Sequence, residues 1–309
     1  MSDFVHKPVM LVEVLSALNP KPGGRYVDGT IGGAGHAAAI LEASSPTGWL
    51  YGFDRDGEAL GAAQKRLGRF TGRFELRRGN FAEMADWVPP GSCDGVLLDL
   101  GVSSPQLDEA ERGFSFQQDG PLDMRMDVRQ QETAADVVNT ATVEELARIF
   151  RDLGGEPQAR RFARALVRER ESRPFVRTGQ LAQFIERLSP RRGQRTHPAT
   201  KVFQAIRITV NREMESLQAG LVAAVGTLRP TGRLAVITFH SLEDRAVKEF
   251  GRTHCREYTY PGTVDVPELR EPRVPELKWV ARKAIKPGDQ ELRENVRSRS
   301  AQLRVLEKT

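Results

Sequence analysis

The chain has 309 residues, of which 39% are hydrophobic and 28% charged, and its net charge is +5. This composition is typical of a soluble globular protein with one large domain or two of ordinary size. No apolar run approaches the roughly 20 residues of a membrane span, and the N-terminus lacks a secretory signal pattern. The two cysteines and five histidines show no metal-ligand spacing. We therefore expect a cytoplasmic protein with no metal site and no membrane association.

In chain order, strand and helix patterns alternate over the first third of the sequence. The predicted strands lie near 25–28, 49–54, 74–77 and 93–100. Alternation of this kind predicts an open, mostly parallel sheet. From 108 to 211 only helical patterns occur, among them the capping box TVEE at 142–145.

Strand character returns at 233–239, and two late alternating runs, 278–283 and 302–306, predict a hairpin-like pair at the sheet edge. The whole pattern predicts an α/β, Rossmann-like domain formed by residues 1–107 plus 212–309. An all-helical domain, residues 108–211, is inserted into it.

The most informative segment is DGTIGGAGH at 28–36, between the first predicted strand and an alanine-rich helix. A glycine-rich turn at such a place lets a ligand approach the backbone and contact the N–H groups of the helix N-terminus. The next apolar run ends at Asp54, 19 residues after Gly35. An acidic residue there suits hydrogen bonds from ribose hydroxyls. Together these features predict a site for an adenosine-containing cofactor.

The same loop indicates which cofactor. It begins with Asp28 and contains no clean GxGxxG, the pattern with which dinucleotide folds hold a pyrophosphate. A carboxylate repels a pyrophosphate but tolerates or favours a sulfonium cation. We therefore expect S-adenosylmethionine. A nicotinamide oxidoreductase and a structural turn without a ligand are the alternatives.

The run LDLGVSSPQ at 98–106 follows the fourth predicted strand. Ligands of open α/β sheets bind beyond the carboxyl ends of the strands, so Asp99 should face the reacting groups. Its carboxylate can hold the N–H groups of an exocyclic base amine for in-line attack on a methyl group. Ser103 either orients that amine or only satisfies turn backbone groups. His240, after the strand ending at Phe239, either contacts the base or phosphate or is a structural histidine.

Positive charge is concentrated in residues 151–213, where fifteen Lys or Arg stand against six Asp or Glu. Such a segment is the electrostatic footprint of a polyanion binder, although an arginine-rich solvated surface explains it equally well. In the first interpretation His197, Lys201 and Arg207 contact an RNA backbone, and the loop RRGQR at 191–195 contacts phosphates.

Five segments resemble the RsmH (MraW) family, and they cover nearly the whole chain. They are DGTIGGAGH, LLDLGVSSPQLDEAERGFSF, DGPLDMRMD, HPATKVFQAIRITVN and ITFHSLEDR. The resemblance implies a class I methyltransferase domain interrupted by a helical insertion. It also implies methyl transfer from S-adenosylmethionine to N4 of a cytidine in the decoding region of small-subunit ribosomal RNA, with the small ribosomal subunit as partner.

Carried over by motif, the resemblance implies a cofactor pocket in which Asp54 holds the ribose and Phe81 lies against the adenine. The implied cofactor-binding residues are Ala34, Gly35, His36, Asp54, Phe81, Asp99 and Gln106, and we expect Asp99 and Ser103 to be catalytic. The same fold acting on DNA or protein is one alternative function, and a non-catalytic RNA-binding protein that holds S-adenosylmethionine is another. Oligomeric state is left open, with a dimer as one option.

Overall fold

The computed structural model describes residues 8–190 and 196–309, and its strands form one large sheet and one small one. The strands are β1 (Arg25–Asp28), β2 (Trp49–Asp54), β3 (Phe74–Arg78), β4 (Cys93–Asp99), β5 (Leu228–Thr238), β6 (Tyr258–Thr259), β7 (Glu271–Pro272), β8 (Leu277–Trp279) and β9 (Gln302–Lys308). The large sheet has seven strands in the order β3-β2-β1-β4-β5-β9-β8, and β6 pairs with β7.

Strands β1 to β5 run parallel to one another, which confirms the predicted Rossmann-like, mostly parallel sheet. The middle of β4 is Val96-Leu97-Leu98, which is completely buried, as a central parallel strand requires. From β1 the chain proceeds outward to β2 and β3, then returns to place β4 on the other side of β1. Ligands of open α/β sheets bind at such a switch in strand order.

The two late runs pair with each other as predicted, but their place in the sheet differs from the prediction. Strand β9 lies between β5 and β8, antiparallel to both, so it is an inner strand and only β8 is at the edge. Leu303 and Val305 of β9 are buried on the core side. Burial of this kind depends on long-range pairing, which alternation within one segment does not reveal.

The chain divides into two compact units: residues up to Gly101 with Glu215–Thr309, and Val102–Met214. These bounds lie close to the predicted ones at 107/108 and 211/212, and the assignment of the second unit as an RNA-recognition domain stays a prediction. The helices of the first unit are α1 (Leu11–Leu18), α2 (Gly35–Ala43), α3 (Gly57–Leu67), most of α10 (Glu213–Thr227), α11 (Ser241–His254) and α12 (Asp289–Glu294). Those of the second unit are α4 (Ser104–Asp108), α5 (Ala134–Thr140), α6 (Val143–Asp152), α7 (Ala159–Arg170), α8 (Thr178–Leu188) and α9 (Ala199–Val210).

The second unit has an apolar core of its own, in which Phe150, Phe162 and Phe175 are almost completely buried. The predicted capping box at the start of α6 is present. Thr142 Oγ1 accepts from the Glu145 N–H, and the Glu145 carboxylate accepts from the Thr142 N–H. Across the described part of the chain, no helix has the length and apolar character needed to cross a membrane.

Candidate active site

Three strands of the first unit end in an aspartate at the same edge of the sheet. Asp28 ends β1, Asp54 ends β2 and Asp99 ends β4. Because β1 lies between β2 and β4 and all three are parallel, these carboxyl groups surround the switch in strand order. Their shared charge suits a cation better than a phosphate.

Backbone and side-chain hydrogen bonds tie the glycine-rich loop to all three strand ends. The Thr30 N–H donates to Asp28 Oδ1 (3.2 Å), and the Gly32 N–H donates to Asp54 Oδ2 (2.9 Å). Thr30 Oγ1 in turn accepts from the Asp99 N–H at 2.7 Å. The loop is therefore held in one shape by the strands that it joins.

The end of the loop shows why small residues are needed there. A Cβ at Gly35 would lie 2.3 Å from Cγ of Pro8, so no larger residue fits beside that ring. Ala34 adopts the left-handed conformation with a φ of 57°, which costs an alanine about 1 kcal/mol relative to glycine. It precedes α2 without a side-chain cap. The first N–H groups of α2 thus present the positive end of the helix dipole to the loop.

Burial raises the pKa of all three aspartates. It raises the pKa of Asp28 to about 7 and that of Asp54 to about 6, because a charged carboxylate is poorly solvated inside the protein. Burial also raises the pKa of Asp99 well above its usual range, and the charges of Asp28, Glu243 and Glu291 add to the effect.

The carboxyl group of Asp99 is only half satisfied. Its Oδ2 lies 3.6 Å from Nδ1 of His36, whose Nε2 is 2.9 Å from the carbonyl oxygen of Val9. Its Oδ1 is enclosed, and among the described residues it has no hydrogen-bond partner. A buried acceptor without a partner at a ligand-binding edge is a place for a donor from a bound molecule.

Phe81 follows β3 and its ring packs against α10. A Cβ built at Gly220 would come within 2.3 Å of Cδ2 and Cε2 of that ring, so the glycine leaves the space that the ring fills. Asn80, just before it, donates from Nδ2 to Ser216 Oγ on the same helix at 3.0 Å. Sequence reasoning missed Ser216 and Gly220, since no local pattern marks either residue.

Ser103 and Gln106 belong to the second unit, where they form the capping box of α4. The Ser103 N–H donates to Gln106 Oε1 at 3.0 Å, and Gln106 is buried. This contact gives both residues a structural role. Their catalytic and cofactor roles stay predictions.

The three residues predicted to contact RNA near the end of the second unit have partners within that unit. Nζ of Lys201 donates to the Gly155 carbonyl at 3.0 Å. Arg207 forms a bidentate pair with Glu213 at 2.9 and 2.8 Å. His197 accepts from the Ala199 N–H, and its ring lies 4.7 Å from that of Phe116. The loop at 191–195 lies outside the described residues.

His240 lies at the carboxyl edge of β5, as predicted, and it caps α11. Its Nδ1 accepts from the Glu243 N–H at 3.4 Å, while its Nε2 is 3.2 Å from Glu243 Oε1. Glu243 Oε2 also accepts from the Phe239 N–H at 2.8 Å. The cap gives His240 a structural role, but its buried Nε2 has no hydrogen-bond partner among the described residues, and contact with the base or phosphate stays a prediction.

The fold and this edge define a Rossmann-like protein whose acidic strand ends suit a cationic ligand. The model of the MraW methylase family matches residues 3–309, and the chain belongs to that family.

Curated relatives match over almost their full length. The protein named ribosomal RNA small subunit methyltransferase H of Geobacter sulfurreducens is 51% identical, with 99% of each chain covered. Proteins of the same name from Geobacter sp. strain M21 and Shewanella sediminis are 50% and 46% identical. The alignment covers 100% of both chains for the first, and 99% of this chain and 98% of the relative for the second.

Proposed function

We propose that this protein transfers the methyl group of S-adenosylmethionine to N4 of a cytidine in the decoding region of small-subunit ribosomal RNA. The observation that carries the proposal is the buried Oδ1 of Asp99 at the switch in strand order, which has no hydrogen-bond partner among the described residues. The relatives of the chain are named small-subunit methyltransferases.

The first unit fits this cofactor. We expect the Asp54 carboxylate, whose two oxygens already accept the Gly32 and Asp56 N–H groups, to accept from the ribose hydroxyls as well, and the Phe81 ring to lie against the adenine. The α2 N-terminus at Gly35 suits the carboxylate of the methionine tail. The acidic edge suits a sulfonium. When bound, S-adenosylmethionine supplies an electrophilic methyl group.

Asp99 positions the acceptor amine. An exocyclic amine is a weak nucleophile because its lone pair is delocalised into the ring, so an N–H held by Oδ1 favours the reactive geometry. In the transfer the N4–C bond forms, the S–C bond breaks and one proton leaves N4. The arrangement contributes mainly by orientation and by accepting hydrogen bonds.

We further infer that α7 supplies the phosphate contacts of the second unit. Arg160, Arg164 and Arg168 are exposed and four residues apart, so they form one ridge opposite the buried face of the helix. None of the three has an ion-pair partner among the described residues. A row of unpaired positive charges suits the backbone of a nucleic acid.

The test is methyl transfer from labelled S-adenosylmethionine to small ribosomal subunits from cells lacking this gene, with nucleoside analysis of the RNA. Naked RNA, DNA and ribosomal proteins are assayed alongside. Label in N4-methylcytidine is the expected result. Label only in protein or DNA would overturn the substrate, and cofactor binding without any transfer would favour a non-catalytic role.

A further inference from the structure

The side chain of His36 makes two contacts that together constrain where its protons lie. Its Nε2 is 2.9 Å from the carbonyl oxygen of Val9, in a buried position. A carbonyl oxygen only accepts, so Nε2 must carry a hydrogen. In a neutral ring Nδ1 is then an acceptor, and it faces Asp99 Oδ2 at 3.6 Å.

Two acceptors that face each other repel, and a proton on one of them turns the 3.6 Å contact into an attraction. The carboxylates around Asp99 favour a protonated state of the pair. Asp28 approaches it from β1, Glu243 from α11 and Glu291 from α12. Glu243 accepts the backbone N–H of Phe239, and Glu291 accepts that of Met10.

We propose that His36 is a positioning residue that holds a proton on Nδ1 against Asp99 Oδ2, so that Asp99 presents its Oδ1 to the acceptor amine as a carboxylate. This inference rests on the proposed function. When N4 gains the methyl group and the S–C bond breaks, the proton that leaves N4 passes to Oδ1. The pair then holds two protons and returns one to solvent.

The structure explains why the proton is held beside Oδ2 of Asp99 and not beside Oδ1. The Val9 carbonyl fixes the orientation of the ring and excludes the other tautomer. Oδ2 is thereby occupied, and Oδ1 is left without a partner from the described residues. Burial and three neighbouring carboxylates disfavour a charge on Asp99, so its charged form needs a proton held beside it on Nδ1 of His36.

The test is nitrogen NMR of the imidazoles across pH in the cofactor-free protein, wild type against Asp99→Asn. The five histidines of the chain keep the spectrum simple. In wild type, Nε2 of His36 should stay protonated, and Nδ1 should lose its proton only at high pH. Asp99→Asn should move that titration down by at least one pH unit. His254, 2.8 Å from Glu276, should not move and serves as the internal control.

Two results would overturn the proposal: a His36 titration that is the same in both proteins, or an Nε2 that lacks its hydrogen. A second variant tests the effect on turnover. His36→Gln keeps an amide donor for Val9 but lacks Nδ1, so kcat should fall at least tenfold and the pH profile of kcat should change. An unchanged profile would contradict the role. Because the NMR titration needs no turnover, failure of the methyl-transfer function is distinguishable from failure of this inference.

Discussion

The ring of Phe81 occupies the space that the missing side chain of Gly220 leaves free. Two ring carbons lie within 2.3 Å of the point where a Cβ at Gly220 would stand. Alanine at 220 must therefore push the ring away from α10. If Phe81 lies against the adenine, the ring would move into the space of the cofactor.

We accordingly expect Gly220→Ala to weaken the binding of S-adenosylhomocysteine at least tenfold in calorimetry. The matched control is Gly226→Ala on the same helix, where an added Cβ meets no atom of the described residues within 4 Å. Both variants gain helix propensity of up to about 1 kcal/mol, so their difference reports the displaced ring. Equal affinities in the two variants would remove Phe81 from the pocket.

Asp28 should make stability depend on pH. Its pKa is about 7 in the folded protein and near 3.8 when unfolded, so its charge destabilises the fold progressively as pH rises from 4 to 7. Asp28→Asn removes that charge but keeps an acceptor for the Thr30 N–H. Denaturant unfolding should show the variant more stable at pH 8, by up to about 4 kcal/mol, and equal to wild type below pH 4. A gain of the same size at both pH values would contradict the assignment.

Kinetics can distinguish the predicted functional roles of Ser103 and Gln106 from the structural role that the two residues share. Both alanine variants break the capping box of α4, which costs about 1 kcal/mol in each. If Ser103 orients the amine, Ser103→Ala should lower kcat more than Gln106→Ala does. If Gln106 binds the cofactor, Gln106→Ala should chiefly raise its KM. Identical kinetic losses would indicate that both residues act only through the cap.

The ridge on α7 should set the salt dependence of RNA binding. A triple change of Arg160, Arg164 and Arg168 to Gln should lower the slope of log affinity against log salt by about 2. The control is a triple change to Gln at three arginines of that unit that form ion pairs: Arg129, Arg151 and Arg177. They lie 2.6, 2.8 and 2.5 Å from their carboxylate partners. Equal losses in the two triple variants would mean that net charge, and not the ridge, determines binding.

The sequence predicts the local parts of the site well. The strand ends at Asp28, Asp54 and Asp99 can be predicted because each aspartate follows an apolar run. The capping box at Thr142 is readable because its partners are three residues apart. Such signals depend on neighbours in the chain.

The remaining features depend on contacts between distant segments. Nothing in the sequence indicates that Gly220 makes room for Phe81, or that the Val9 carbonyl selects the tautomer of His36. The pairing of Arg207 with Glu213, six residues further on, was also not predicted, and the RNA contact of Arg207 stays a prediction. The exposed arginines of α7 emerge only when the buried face of that helix is known.

The most direct test of the central claim is single-turnover methyl transfer to small ribosomal subunits by Asp99→Asn, with cofactor affinity measured on the same preparation. We expect a loss of at least a hundredfold in the transfer rate, because the amide cannot take up the proton from N4, while the variant remains folded. Transfer at the wild-type rate would contradict the role of Asp99 and the mechanism built on it.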